Sequence, residues 1–153
     1  MSEQQTKFNR VLSIRLVDAS FESPNKMALQ GRDSLPHVTV KLDDVKITKV
    51  NDEGVYTVAL GINVTCDLED KTNVFIAEAK EVATVVISDE NDLASQIFLN
   101  GSVPDIIYNS LRAFVNQLIV SGGFPEFHIQ FVSYEQQFLL ENAERLNLQV
   151  NKN

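Results

Sequence analysis

The chain has 153 residues, 44% hydrophobic and 22% charged, with a formal net charge of −8. That length suits one domain able to bury roughly 70% of the surface its unfolded chain exposes. The acidity argues against nucleic acid and anionic membrane surfaces, which call for basic patches, and favours solubility and basic or uncharged partners.

The first residues, MSEQQTKFNR, are polar and lack the apolar core of a signal peptide. The longest apolar runs, such as VATVVI, fall far short of the roughly 18 residues that span a bilayer, so no direct membrane insertion is expected. A single cysteine, Cys66, has no partner for an internal disulfide and suits a reducing compartment. The expected location is cytoplasmic.

The first half reads as strands. Leu12, Ile14 and Leu16 alternate, as do Val38, Val40 and Leu42, and Val45 and Ile47 follow after a phase shift at Asp43–Asp44. The clearest strand is VYTVALGINVTCDL, where Tyr56, Val58, Leu60, Ile62, Val64, Cys66 and Leu68 share one face. LEDKTN supplies a turn, and the chain returns through VFIAEAKEVATVVI. There Phe75, Ala77 and Ala79 face one way, and Ile76, Glu78 and Lys80 the other. The expected architecture is α+β: a four-stranded antiparallel sheet followed by a long helix and a C-terminal helix, in one domain over 1–153 with flexible ends near 1–7 and 147–153.

The second half reads as helices. DLASQIFL forms a short one, stopped by Asn100–Gly101. Pro104 opens a longer helix, with Asp105 near its positive end. Ile107, Leu111, Phe114, Val115, Leu118 and Ile119 continue it to Ser121–Gly122–Gly123. The apolar face spans about 140°, wider than a one-sided surface helix needs. Two explanations stay open: deep burial, or a sheet on one side and another subunit on the other.

GGFPEFHIQFVSYEQQF contains aromatic residues at spacings of three and four, but it divides in two. Phe124 to Val132 is expected to be an extended connector. Ser133 and Gln136 form a capping box that starts the last helix, with Tyr134, Phe138, Leu139, Ala143 and Leu146 along its apolar side.

No catalytic constellation is found. The chain lacks a phosphate loop and a dinucleotide fingerprint, and His37 and His128 are not spaced with Cys66 as zinc ligands. His128 is expected to be a structural histidine. Asp43–Asp44 and Asp67–Glu69–Asp70 read as solvated turns, and DENDL lacks the glycine of a calcium loop. No enzyme activity, metal or cofactor is expected.

Two motifs carry a resemblance. DASFESPN (Asp18 to Asn25) and GGFPEF with the following VSYEQQF resemble segments of SecB, the bacterial protein-export chaperone family. The likeness in kind and order runs from about residue 8 to 142. It implies an ATP-independent holdase that binds unfolded preproteins and delivers them to the ATPase SecA, assembled as a homotetramer, a dimer of dimers. By position, Asp18, Glu22, Ile76 and Glu78 are expected to meet SecA. Leu35, Pro36, Val40, Leu42, Tyr134, Phe138 and Leu139 are expected to line the client groove, and Ala77, Ala79, Glu81, Leu111, Phe114 and Leu118 the oligomer interface.

Some positions depart from that family. Ser34 and Leu35 stand where a tryptophan is common, a second helix proline is replaced near Asn109, and Glu81 stands where a neutral residue is frequent. A specialised SecB-like chaperone of a toxin–antitoxin pair, and a non-catalytic structural or small-ligand-binding α+β protein, are the alternatives. One difficulty is geometric. Simple alternation sets Asp18 and Glu22 in phase with Leu12, Ile14 and Leu16, so either the first strand bends or bulges before Asp18, or it is buried on a face that becomes exposed near its end.

Overall fold

Alternating apolar and polar residues fold the first half into one antiparallel sheet in a computed structural model that describes the backbone of residues 8–29 and 36–150. Its strands, among the described residues, are β1 (Arg10–Glu22), β2 (His37–Leu42), β3 (Lys46–Lys49), β4 (Val55–Asp67) and β5 (Asn73–Val86). Their order is β1-β5-β4-β2, and β3 also pairs with β4. Leu42 lies opposite Ile62 and Lys46 opposite Ala59, so β2 and β3 form one lane broken at 43–45. The phase shift at Asp43–Asp44 is that break. Asp43 N–H donates to the Gly61 carbonyl at 3.0 Å, and its carboxylate lies where a side chain on Gly61 would stand.

The helical layer covers the inner face of the sheet. It runs from α1 (Leu93–Ile97) through a π-helical turn (Phe98–Ser102) into α2 (Val103–Ser121). The expected stop at Asn100–Gly101 does not occur. Pro104 lacks an N–H and would crowd the Asn100 carbonyl in a regular α-helix, and the wider π turn relieves that conflict. Gly101 serves packing: a Cβ there would lie 2.6 Å from Glu135 Cα. It marks a close approach between two segments rather than a helix end.

Val103, Ile107, Leu111, Val115 and Ile119 form the buried row of α2, flanked by Tyr108. They join Val58, Leu60, Ile62, Val64, Ala77, Ala83 and Val85 of the sheet in one core. Each large side chain buried there contributes about 1.5–3 kcal/mol of transfer free energy. The helix ends as expected at Gly122, with Gly123 in the left-handed region at φ 90° and Phe124 N–H reaching back to the Ile119 carbonyl at 3.2 Å.

Residues 124–133 form the extended connector read from sequence. Arg112 of α2 anchors it, donating from Nη1 to the Ile129 carbonyl at 3.1 Å and stacking on the rings of Tyr108 and Phe131. The last helix begins at Tyr134, with the Ser133 hydroxyl accepting from Gln136 N–H at 3.2 Å. It is two helices rather than one: α3 (Tyr134–Glu141) and α4 (Ala143–Val150) meet at the non-helical Asn142. Residues 147–150, expected in a flexible end, belong to α4, and 1–7 and 151–153 lie outside the described residues.

Candidate functional site

The two motifs that carry the resemblance meet in space. Phe21 of the first stacks with Phe75 at 5.8 Å and lies 6.2 Å from Phe124 of the second. A side chain at Gly122 would collide with the Phe21 ring, so the glycine two residues before Phe124 makes this cluster possible. Ser23 Oγ donates to the Val74 carbonyl at 2.9 Å, and Asn25 Nδ2 to the Asn73 carbonyl at 3.0 Å. Phe21, Ser23 and Asn25 thus lock the end of β1 onto the start of β5. Asp18 and Glu22 are exposed and are not needed for that lock.

A register shift between Leu16 and Asp18 supplies the bulge that outward-facing carboxylates require. Leu16 lies opposite Glu81 on the inner side, whereas Asp18 lies opposite Lys80, Ser20 opposite Glu78 and Glu22 opposite Ile76. The outer face therefore gathers Asp18, Glu22, Ile76 and Glu78. Glu78 accepts a hydrogen bond from Asn63 Nδ2 on β4, while Ile76 is half-buried and the three carboxylates are exposed.

A groove of about 360 Å³ opens between the broken edge lane and α3. Leu42, Val45, Val132, Tyr134 and Phe138 supply the apolar and aromatic part of its lining, and Asn100, Gln137 and the carboxylates of Asp43, Asp44 and Glu141 supply a polar part of similar extent. Of the residues read from sequence, Leu42, Tyr134 and Phe138 come together here. Each is half-buried: neither closed into the core nor free in solvent. Val40 is half-buried on the inner face of β2, Leu139 is half-buried on α3 and Pro36 is exposed, but these three do not line the groove. Leu35 lies outside the described residues.

The start of α3 is clamped beside the groove. Asp105 of α2 accepts from Tyr134 N–H at 2.6 Å and Glu135 N–H at 3.4 Å. Burial, with smaller contributions from Tyr108 and Asp105, pushes the Tyr134 hydroxyl up to about 12, so it stays protonated and neutral. Sequence read Asp105 as a charge near the start of its own helix. Its hydrogen bonds instead cap a helix 29 and 30 residues further on, and no local pattern announces that.

The setting of four expected interface residues needs correction: Ala77, Ala79, Glu81 and Leu111 are buried within the chain's own core, at 0%, 4%, 5% and 0% exposure. The reason is that α2 packs directly on β4 and β5. Phe114 and Leu118 are half-buried, and Ile106 and Val120 are exposed on the outer side of the same helix. His128 is also corrected: it is an exposed residue of the connector, while its neighbour Ile129 points inward.

Glu81 is unusual among the inner-face residues. Its Oε1 accepts from Ser110 Oγ at 2.9 Å, while Oε2 is buried without a hydrogen-bond partner. Burial pushes the carboxyl above its ordinary range, opposed by the Ser110 hydrogen bond.

A family model for the preprotein translocase subunit SecB matches residues 2–145. The protein-export protein SecB of Methylibium petroleiphilum is 34% identical over 141 residues, covering 90% of this chain and 83% of that one. That of Xanthomonas euvesicatoria is 29% identical over 134 residues, covering 88% and 77%. Among solved structures, the SecB-like chaperone of Mycobacterium tuberculosis, in complex with a ChAD peptide from the HigA1 antitoxin, shares the fold with a TM-score of 0.63. It is 14% identical, with 82% of this chain and 91% of that one covered.

Proposed function

The chain belongs to the SecB family, and on that premise we propose that it is an ATP-independent holdase that keeps preproteins unfolded in the cytoplasm and delivers them to SecA. The observation that carries this reading is the groove between the edge lane and α3. Its half-buried Leu42, Tyr134 and Phe138 offer apolar contact of low specificity, with each client side chain contributing a little along an extended path. In this reading Pro36, Val40 and Leu139 extend that path, as does Leu35.

Handover uses the opposite surface. Glu22 and Glu78 flank Ile76, with Asp18 further along the same face opposite Lys80, and the carboxylates suit a basic segment of SecA with one apolar anchor. Copies of the chain assemble as a homotetramer through α2, where Ile106 and Val120 are exposed on the outer side and the half-buried Phe114 and Leu118 retain apolar surface at the flank of the inner face. Ala77, Ala79 and Leu111 support that helix from beneath.

The antitoxin peptide held by the structural relative motivates a second reading, a specialised chaperone that holds one antitoxin. The export reading is preferred because the more similar sequences are export proteins. The test is aggregation of a chemically unfolded preprotein diluted without nucleotide. Suppression near one assembly per client supports the holdase, and aggregation at the rate of buffer alone rejects it.

A further inference from the structure

α3 forms one wall of the groove, yet nothing in it is buried. From Tyr134 to Glu141 every residue is half-buried or exposed, and Leu140 is 78% exposed. A helix of eight residues with so little apolar cover does not hold itself in place, since isolated helices of that length are marginal in water. Its attachment to the body is concentrated at its first turn. There the Tyr134 ring meets the Tyr108 ring edge-on at 6.0 Å, and Glu135 lies against Gly101.

The four N–H groups that open α3 are all satisfied, and they divide in two. Gln136 N–H goes to the Ser133 hydroxyl at 3.2 Å and Gln137 N–H to the Ser133 carbonyl at 3.1 Å. Both acceptors belong to Ser133 and travel with the helix wherever it goes. Tyr134 and Glu135 N–H donate instead to Oδ1 and Oδ2 of Asp105, at 2.6 and 3.4 Å. Asp105 belongs to α2, whose row of buried side chains fixes it to the sheet. Those two bonds exist only while α3 lies against the body. Among the described residues, no residue ahead of the connector other than Asp105 hydrogen-bonds to α3. A carboxylate suits this position because it offers one oxygen to each N–H and a negative charge to the positive end of α3.

We propose that Asp105 is the positioning residue of the client groove: by accepting the first two N–H groups of α3 it fixes where Phe138 stands across from Leu42, and so governs how long a bound segment is retained. The inference rests on the groove being the client site, as the proposed function has it. Phe138 and Glu141 follow one and two turns after Tyr134 on the side that lines the groove. A rotation about the root of α3 displaces them further than Tyr134, so loss of the Asp105 bonds opens the far end of the groove first. Leu42 on the opposite wall is held by its pairing with Ile62 and does not follow.

The experiment compares the wild type and Asp105→Asn by amide hydrogen exchange and by the dissociation rate of a fluorescently labelled, chemically unfolded preprotein. The amide offers a single acceptor oxygen and no charge. Exchange of the α3 amides should quicken by about tenfold, and dissociation by a similar factor. Exchange in β4 and in the middle of α2 should stay near wild type, which a general loss of stability would not allow. Unchanged α3 exchange in the folded variant would overturn the role of Asp105 and leave the groove standing. Faster α3 exchange with unchanged dissociation would overturn both, since α3 would then form no wall of the client site. A check without substitution covers a variant that fails to fold. In the wild type, a bound client should slow exchange of the Tyr134 and Glu135 amides, because a retained segment requires α3 in place. Exchange at those amides indifferent to the client would refute the proposal.

Discussion

Glu78 and Glu81 stand three residues apart on β5 in opposite surroundings. Glu78 is exposed on the outer face, accepts from Asn63 and shares its surface with Asp18, Glu22 and Ile76. Glu81 lies under α2 against Leu16, Leu60 and Ser110, with one oxygen unpartnered. The same residue type is a solvated charge available to a basic partner on one face and a desolvated, proton-seeking group on the other. Strand alternation assigned the faces, and the helical layer assigned the chemistry.

The largest test of that division lies in the core. Leu111→Ala should cost about 2–5 kcal/mol of unfolding free energy, read by urea denaturation, because the helix cannot fully close the cavity. The outer carboxylates should still bind SecA while the variant is folded. Loss of SecA binding in the folded variant would mean that the two faces are not separable.

A smaller effect is expected at the groove. Replacing Leu42 and Phe138 by serine removes two half-buried apolar contacts and should weaken client holding by roughly tenfold. Thermal stability should fall by less than for Leu111→Ala. If the double variant unfolds outright, these side chains are core. On the outer face, Asp18→Lys with Glu78→Lys should weaken SecA binding by about fivefold to tenfold at low salt, with the difference closing as salt rises. Client holding should survive. SecA titrations unchanged from wild type would point to the specialised chaperone.

The smallest expected effect is the folding stability of the Glu81→Gln variant. The Glu81 carboxyl is raised in the folded chain, so the folded state binds more protons than the unfolded one between the ordinary and the raised values. Wild-type stability should therefore fall through that window as pH rises, and the variant should lack that part of the loss. The two should converge in acid and separate toward neutral pH, with Glu81→Gln the more stable in denaturation curves.

Much of the fold was legible because it is local. The alternation of Tyr56 to Leu68 predicted β4, the break in phase at Asp43–Asp44 marked the divided lane, and Ser133 with Gln136 marked the start of α3. The misreadings share a cause: contacts between distant segments. Gly101 reads as a helix stop until Glu135 is seen against it. Asp105 reads as a dipole charge until Tyr134 and Glu135 donate to it. The wide stripe on α2 suggested a partner for Leu111, but the chain's own sheet buries it completely. Of the groove, Leu42, Tyr134 and Phe138 were expected, whereas Val45 and Val132 were missed because each borders an irregular segment.

The most direct test of the account is side-chain footprinting by hydroxyl radicals, with and without a bound unfolded preprotein. The half-buried rings of Tyr134 and Phe138 should lose reactivity when the client binds, while Ile76 on the outer face keeps its own. Unchanged labelling of both rings in a complex that demonstrably holds its client would contradict the groove, and with it the division of labour proposed for the two surfaces.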